Sequence, residues 1–501
     1  MTMYNPQKLH PVSYVTSLIN VIKNNFIVII IFLFNIKDFK YDDFYSYLWP
    51  GIMTLIFLIT FFYNIFKVYN TRYWIENNHF ILTTGVLNKE RKELNISRIQ
   101  SVDTTEGFVN QIVGGVELII KTPSDGIELS TISKKQSVSI ESEIKNIQQQ
   151  LNATHQAKVN VDFEKDEDED NESLKNVPTK SIFKMSFKQL LFMAMTSGAI
   201  GITLITLSPI VGSFSDIIPW EKLGGELSYV LKSTFFIIIA IVVVVLIMSY
   251  IIGTCLAFIR YYGYKVTQQG HQLKIQYGLF TKKNVTVPTN RLQGVLEHQS
   301  YLRRLFGYTS IHFYITSDIV TSAEMSDVNG RIMILPFIKR QQAYEVIQSL
   351  VPEMRFNTAH TGMPLRGFHR HFLIPSLILI FASFIGWYFW STWSFVIAGL
   401  LIILLIIRAI LYVRYSGYYL ENEEIVIQKA SLLNMKRFYF KLNKVIGMEI
   451  KQHPLLERKH LANFKFIIAK GFENKKIGLK YTDVSKVNEF KEWYMRGDTH
   501  E

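Results

Sequence analysis

Long apolar segments and stretches of alternating apolar and polar residues follow each other in the same order three times along the chain. The apolar segments come in pairs, and most are long enough to cross a membrane as helices. We place them near residues 26–36, 48–68, 190–211, 235–258, 372–390 and 393–411. The first is the weakest, because Lys37 and Lys40 follow it closely. The pattern predicts six transmembrane helices in three hairpins.

Each pair is followed by short runs in which apolar and polar residues alternate, the pattern of half-buried strands separated by turns. These runs occupy residues 73–122, 264–316 and 418–471. A segment with helical spacing closes each run, at residues 133–151, 336–351 and 483–495. A helix over the open end of a small barrel would cover edge strands that otherwise aggregate. We therefore predict a membrane α + β protein in which each hairpin precedes a small, partly open β-barrel capped by a C-terminal helix.

These elements divide the chain into seven segments. The predicted boundaries are 12–70 for the first transmembrane hairpin, 71–152 for the first strand module, 153–180 for an acidic linker, 181–262 for the second hairpin, 263–354 for the second module, 365–415 for the third hairpin and 416–497 for the third module. The linker lacks the glycine turn and the closing glutamate of an EF-hand loop, so we interpret it as a solvated connection. Before the first span, residues 12–22 have the pattern of an amphipathic helix on the membrane face.

Composition agrees with a membrane protein that carries polar modules. Hydrophobic residues make up 49% of the chain and charged residues only 19%, below the roughly 25% charged residues of soluble domains. The formal net charge is +13, and its scattered cations fit an anionic membrane surface, without the arginine-rich arm of a nucleic-acid-binding protein. Cys255 is the only cysteine, which excludes a disulfide or a zinc knuckle within one chain.

Lysine and arginine residues flank the predicted hairpins and are scarcer in the loops inside them. The first loop contains Lys37 and Lys40, the second contains Lys222 and Lys232, and the third contains no cation. Cytoplasmic loops carry the excess of lysine and arginine in membrane proteins. This distribution predicts that both termini and all three modules face the cytoplasm.

The first two modules share a fixed register of residues. The anchors are Gly85, Arg98 and Gly114 in the first copy and Gly278, Arg291 and Gly307 in the second. The first two anchors lie 13 positions apart and the last two 16 positions apart in both copies. The third copy has Ser431, Lys444 and His460 instead. We interpret the anchors as structural, although a recurrent arginine can also bind a phosphate or a carboxylate.

The motifs GVL-x8-ISRIQSV and GLF-x8-TNRLQGV, the second followed by LFG, resemble the bacterial pleckstrin-homology (PH) domain family. The third copy departs from the pattern at all three anchors and is interpreted as degenerate. The resemblance implies a multi-pass protein of a bacterial cell membrane with three PH-like domains on the cytoplasmic face. It also implies a smaller partner of the same domain type, and a role in envelope stress and in resistance to membrane-active peptides such as bacteriocins. Because the family is defined by a fold, the resemblance leaves the biochemical function open.

Basic residues recur soon after the glycine turns. The candidate binding residues for an anionic lipid or a protein partner are Lys89, Arg91, Lys92, Lys282, Lys283, Arg303 and Arg304. Near an anionic leaflet each cation would contribute about 1 kcal/mol of attraction. The same residues also fit a solvated strand edge, where charge discourages unwanted pairing. Both interpretations stay open.

The sequence lacks the common motifs of catalysis and of cofactor or metal binding. It has no phosphate-binding loop and no GxSxG, and His453 and His460 are seven positions apart, unlike the pair in HExxH. We therefore predict a non-enzymatic scaffold or binding module in the membrane. The alternative is a transporter or exporter of a membrane-active peptide or lipid. Proton-coupled transport is disfavoured because the predicted spans contain no Asp or Glu.

The predicted topology is testable with single cysteines in a chain whose Cys255 is replaced by Ala. Cysteine introduced at Ser130, in the first module, is expected to react only with a thiol reagent that enters the cytoplasm. Cysteine introduced at Ser213, in the second hairpin loop, is expected to react with an impermeant reagent outside the cell. Labelling of both positions from the inside would contradict the topology.

Overall fold

The computed structural model describes residues 5–25, 44–122, 126–159, 180–196, 234–316, 330–389, 392–470 and 473–497. These residues form two compact units. Unit 1 contains the described parts of Met1–Lys180 together with Thr267–Pro288. Unit 2 contains the described parts of Ser181–Val266, Thr289–Thr316 and Ser322–Glu501. The second module therefore divides its strands between the two units.

The first repeat has seven strands and four helices among the described residues. Its strands are β1 (Gln7–Lys8), β2 (Arg72–Glu76), β3 (His79–Thr84), β4 (Glu90–Asn95), β5 (Ser101–Glu106), β6 (Gly115–Lys121) and β7 (Gly126–Ser133). Its helices are α1 (Val12–Asn24), α2 (Phe44–Asn70), α3 (Phe108–Val113) and α4 (Lys134–Val159). A short 3-10 turn, Ile96–Arg98, separates β4 from β5.

The other two repeats follow the same order. The second contains β8 (Lys180–Lys184), α5 (Phe187–Met195), α6 (Thr234–Tyr261), β9 (Lys265–Gln269), β10 (Gln272–Tyr277), β11 (Lys282–Pro288), β12 (Leu292–Ser300), α7 (Tyr301–Leu305), β13 (Tyr308–Ile315), β14 (Arg331–Lys339) and α8 (Arg340–Leu350). The third contains β15 (His360–Thr361), α9 (Leu373–Phe389), α10 (Trp393–Tyr415), β16 (Gly417–Glu421), β17 (Glu424–Ala430), β18 (Asn434–Lys441), β19 (Val445–Lys451), α11 (Pro454–Glu457), β20 (Leu461–Lys470), β21 (Glu473–Ile477), β22 (Thr482–Asp483) and α12 (Val484–Gly497).

A short strand precedes the membrane segments of each repeat and pairs with the first strand after them. In unit 1, Gln7 of β1 lies opposite Tyr73 of β2. In unit 2, His360 of β15 lies opposite Tyr418 of β16, and Met185, next to β8, donates its backbone N–H to Tyr264 O at 3.0 Å. The membrane segments are thus inserted between neighbouring strands of a module. The sequence pattern did not reveal this, because β1 and β15 have only two residues and β8 only five, too few to show a clear periodicity.

The core of unit 1 lies between the two sheets of the first module and helix α4. Strand residues such as Tyr73 and Phe80 on one side and Leu118 on the other are almost completely buried. Helix α4 adds Ile140 and Ile144, four positions apart and so on one face of the helix. The helix N-terminal to the membrane segment, α1, also belongs to this unit, since Ser13 Oγ donates to Thr131 O at 2.7 Å.

The third module of unit 2 has a core of the same plan. It is dominated by aromatic side chains, and Phe464, Phe466 and Phe490 are fully buried. Helix α12 contributes Phe490 and Trp493, spaced for one helical face. Membrane helix α10 reaches this core through Tyr412 and Val413, so the base of the helix packs directly on the module.

Consecutive modules share sheets, edge to edge. In unit 1 the hydrogen-bonded order is β7–β6–β5–β11–β10, so the last strands of the first module continue into the first strands of the second. In unit 2 the order is β14–β13–β12–β18–β17–β16–β15, which joins the second module to the third. The modules were predicted as three separate barrels on the basis of their sequence boundaries. Strand pairing across those boundaries covers two edges that a separate module would expose.

A buried carboxylate lies at the junction of β12 and β18. Glu297, 1% exposed, lies opposite Arg437 and binds it with 2.8 Å between Oε2 and a guanidinium nitrogen. Arg340 Nε donates to Oε1 at 3.1 Å, and Tyr344 Oη donates to Oε2 at 2.7 Å. Burial alone would raise the pKa of Glu297, but Arg437 and Arg340 outweigh it and hold the pKa below its usual value. The carboxylate therefore stays charged, and its contribution to stability is lost only as the pH falls below the ordinary glutamate range.

Four helices of the described residues are long and apolar enough to cross a membrane. They are Gly51–Asn70, Val243–Tyr261, Leu365–Phe389 and Trp393–Tyr415, and they coincide with the second, fourth, fifth and sixth predicted segments. The first predicted segment lies outside the described residues, and the third is described only over α5. The acidic linker is described only at its ends, in the last turns of α4 and at Lys180. The fold is a membrane α + β protein, and the count of six spans stays a prediction.

Substitution of Glu297 by Gln is expected to weaken the junction between β12 and β18. It leaves Arg437 buried without the carboxylate charge that it faces, and breaking a buried ion pair costs about 3–5 kcal/mol. The matched control is Glu489→Gln, which removes an exposed pair with Lys486, a type of pair that contributes about 1 kcal/mol or less. Hydrogen exchange of the β12 and β18 amides in the full chain measures both. Equal protection in the two variants would show that the buried carboxylate does not stabilise the junction.

Candidate functional site: a basic cavity at the base of a helix pair

The first predicted basic cluster lies at a sheet edge. Lys89, Arg91 and Lys92 are all exposed, the last two on β4. Arg91 binds Glu93 at 2.6 Å and lies over the Trp74 ring, 5.6 Å from its centroid. The cations of this cluster therefore lie on an exposed strand edge, where they are interspersed with Glu90 and Glu93.

The second predicted cluster lies at the junction between the first two modules. Lys282 is paired with Glu106 and Lys283 with Thr105 across β11 and β5. Burial and the neighbouring Glu128 raise the pKa of Glu117 to about 8, and the charge of Lys283 opposes this rise. The two lysines therefore lie in the sheet that the first two modules share, and the charge of Lys283 acts on a carboxylate of that sheet.

The two predicted arginines of α7 have different environments. Arg303 is buried; it donates to Pro336 O at 3.2 Å and to Thr196 Oγ1 at 3.3 Å. Burial lowers the pKa of its guanidinium to about 10. Arg304 is exposed and lies over the Tyr415 ring at 4.5 Å. Arg303 thus serves the packing of unit 2, and only Arg304 presents its charge to solvent.

The anchor residues lie at equivalent turns. Gly85 and Gly278 have φ angles of +120° and +110°, and an added Cβ at either position would lie 1.9 Å from the backbone oxygen three residues ahead. A side chain is excluded there on both grounds. Arg98 and Arg291 end the 3-10 turns before β5 and β12. Gly114 and Gly307 follow the short helices α3 and α7 with φ near +70°.

The third copy keeps the same turns although its anchor residues differ. Lys444 ends a 3-10 turn, Leu442–Lys444, and His460 follows the short helix α11 with a φ of +51°. The third module therefore repeats the backbone of the other two. The third module thus differs from the other two in its side chains at these turns, whereas the order of its elements is the same.

A cavity of about 350 Å³ lies at the base of helices α9 and α10, within unit 2. Four cations line it, and they come from four separate chain segments: Arg370, Arg408, Lys429 and Lys480. None of the described residues that line the cavity is acidic. Ile374 and Pro375 supply an apolar wall on the membrane-helix side. The cavity thus combines uncompensated positive charge with hydrocarbon surface.

Packing between the helix pair and the third module positions these side chains. Tyr412 Oη on α10 accepts the backbone N–H of Lys480 at 2.9 Å. Tyr481 Oη donates to Arg370 O at 3.3 Å. The ring of His371 fills the space between the two tyrosines, 4.3 Å from the Tyr412 centroid and 4.7 Å from that of Tyr481. The floor of the cavity is therefore fixed by contacts that leave the four cationic side-chain groups unused.

The electrostatics of the cavity favour an anion. Arg370 donates from one terminal nitrogen to Leu455 O at 2.6 Å, while its Nε is buried and has no hydrogen-bond partner among the described residues. Partial burial and the positive charges of Lys480, Lys475 and Arg408 lower the pKa of the Lys429 ammonium group. A phosphate placed here would reduce the repulsion among the cations and would accept a hydrogen bond from Arg370 Nε.

A second cavity of about 290 Å³ adjoins the first and shares Lys429 and Lys480 with it. Its acidic member, Glu449, is already bound by Lys451 at 2.7 Å and by Lys476 at 2.9 Å. The carboxylate is therefore compensated locally, and the cations of the first cavity keep their charge surplus.

Sequence reasoning did not assemble this site. The sequence singles out none of the four cations as a binding residue: Arg370 is one of the cations that flank the predicted third hairpin, and Arg408 lies within its second predicted span. The four cations are separated by tens of positions, so no local spacing connects them. The available signal was the single arginine in the apolar run ILLIIRAILYV, which needs a polar environment near the end of its helix.

Comparison with known proteins agrees with the three structural repeats. The family model for the bacterial PH domain matches residues 26–148, 217–352 and 372–497, including the third copy that lacks the anchors. The chain is 24% identical over 408 residues to the UPF0699 transmembrane protein YdbT of Bacillus subtilis (strain 168), a match covering 78% of this chain and 79% of that protein. No solved structure matches the chain. The resemblance seen in the repeat motifs is confirmed: the chain belongs to the bacterial PH domain family, as a membrane protein similar to YdbT with three copies of the domain.

Proposed function

We propose that the protein is a non-enzymatic membrane scaffold whose third module binds the phosphate of an anionic lipid. The observation that carries the proposal is the cavity at the base of α9 and α10, where four cations meet an apolar wall without an acidic partner among the described lining residues. A lipid presents this combination, a charged phosphate joined to hydrocarbon. PH-like domains usually act as binding modules, which agrees with a site that holds a ligand.

The position of the cavity supports binding to the inner leaflet. Arg370 precedes α9, and Arg408 lies two turns before the end of α10, so both are near the ends of the membrane helices that meet the module. In the proposed topology of six spans in three hairpins, this end is cytoplasmic. Anionic lipids of that leaflet would then lie beside the cavity, and each cation would add about 1 kcal/mol of attraction.

The wider role remains part of the proposal. We infer that the shared sheets hold the modules as a platform for a smaller membrane protein with the same domain, in protection of the envelope against membrane-active peptides. The transporter alternative receives less support from this site. The cavity lies at the module end of α9 and α10, whereas a transport pathway places its substrate site near the middle of the membrane.

Replacement of Lys429 and Lys480 by Gln is expected to reduce binding of phosphatidylglycerol by the full chain. Lys480 is exposed and Lys429 only partly buried, so we expect the fold to be retained. The loss of two cations worth about 1 kcal/mol each corresponds to roughly 30-fold weaker binding. Fluorescent phosphatidylglycerol and phosphatidylcholine, each titrated into the protein in mild detergent, measure the effect. Phosphatidylcholine is expected to bind weakly to both proteins.

The matched control is the double variant Lys486→Gln and Lys491→Gln on helix α12. It removes the same net charge from exposed positions outside the cavity. An equal loss of phosphatidylglycerol affinity in the two double variants would show that only the overall charge matters. That result would contradict the proposed site. Glycerol phosphate as a competitor separates recognition of the headgroup from recognition of the whole lipid.

A further inference from the structure

The two junctions between modules use the same strand register. In the first, Asn284 lies opposite Thr104; in the second, Arg437 lies opposite Glu297. Each of these residues lies six positions after an anchor of its repeat. For the residues in β11 and β18 the anchor is the first one, at the glycine position. For the residues in β5 and β12 it is the second one, at the arginine position. The paired side chains differ completely between the two junctions. What the junctions share is therefore the backbone register.

At each end of the three repeats, one strand that would form such a junction has no neighbouring module to pair with. Among the described residues, β4 is the last strand of the sheet β1–β2–β3–β4, and β19 is the end strand of the sheet β19–β20–β21. β4 corresponds to β11 and β18, and β19 corresponds to β5 and β12. The three repeats therefore leave two unpaired strand edges, β4 and β19. Their equivalents pair with each other at both internal junctions of the described sheets.

The side chains of these two edges are complementary in the junction register. Counting from the anchors places Glu90 opposite Lys451 and Lys92 opposite Glu449. Opposite charges at directly facing positions stabilise a strand pair. Within one chain Glu449 already binds Lys451 at 2.7 Å, so pairing would extend an existing line of alternating charges.

The exposure of β19 also favours a partner. Ile446 and Ile450 are 57% and 40% exposed. The Tyr494 hydroxyl of α12 donates to the Ile446 carbonyl at 3.3 Å, and no described strand pairs with this side of β19. Edge strands that avoid pairing are usually shortened, bulged away or covered. All four residues from Glu90 to Glu93 on β4 are exposed as well. Both edges are accessible in a single chain.

We propose that two copies of this chain associate head to tail, with β19 of one copy pairing antiparallel to β4 of the other in the register of the internal junctions. The occupant is a second copy because the charges of this chain's two edges match each other. Such a contact joins two different surfaces, so repetition gives a closed ring or an open row of copies. The inference is independent of lipid binding, since neither edge lines the cavity at α9 and α10.

Cysteine pairs test the register in full-length chains that carry Cys255→Ser. One tagged copy carries Lys92→Cys and a second, differently tagged copy carries Glu449→Cys, and both are expressed in the same membrane. Mild oxidation is expected to link the two tags. A control with Lys92→Cys and Met448→Cys places the thiols on opposite faces of the sheet and is expected to give about tenfold less product.

Charge exchange provides a second measurement that does not depend on thiol geometry. Glu90→Lys with Lys92→Glu on one edge is expected to lower the fraction of associated chains in detergent, measured by light scattering. Adding Glu449→Lys with Lys451→Glu on the other edge is expected to restore it. Equal cross-linking by the control pair, a monomeric native chain, or cross-linking at these cysteines only to a smaller protein would each overturn the proposal.

Discussion

Backbone hydrogen bonds between β5 and β11 and between β12 and β18 connect each module to the next, and the rest of the structure depends on them. A strand at a sheet edge exposes a row of N–H and C=O groups that attract any other strand. In this chain the following repeat supplies that strand at both internal boundaries. Neighbouring modules are therefore joined by the same interaction that holds each module together. Within unit 2, the base of helix α10 and the strands that follow it pack in one core.

The two junctions show that the shared backbone register tolerates very different chemistry. In the first, the Asn284 side chain donates to Thr104 Oγ1 at 2.9 Å, and Asp103, which is bound to Lys121, accepts the Thr286 N–H at 2.8 Å. The second buries Glu297 between two arginines. Replacing a whole buried ion pair by apolar residues is often neutral for stability, whereas removing one partner is costly. Distinct chemistry at each junction would favour the correct neighbour over the other repeats, whose edges have the same shape.

Features set by local sequence were predictable, and features set by contacts between distant segments were not. The turn at Gly278 followed from its residue type and from the matching interval in the first copy, and the membrane segment before Tyr415 followed from its hydropathy. Sharing of sheets could not be predicted, because an alternating strand such as β11 carries no mark of which edge it will meet. The burial of Arg303 was missed for a related reason: its carbonyl partner, Pro336, is 33 positions away. Lys429 and Lys480 also gain their role only when the third module packs on α10.

The central claim, that consecutive modules share sheets, is tested most directly by cross-linking within one chain. Glu106 and Lys282 are directly opposite in β5 and β11, so cysteines at these two positions, in a chain with Cys255→Ala, lie about 5 Å apart. A short thiol-specific cross-linker is expected to join them within a single chain in the native membrane. Cysteines at Glu106 and Thr286, displaced by four positions or about 13 Å along the strand, are expected to react far less. Absence of the intramolecular product from the Glu106–Lys282 pair, or equal product from both pairs, would contradict the shared sheet.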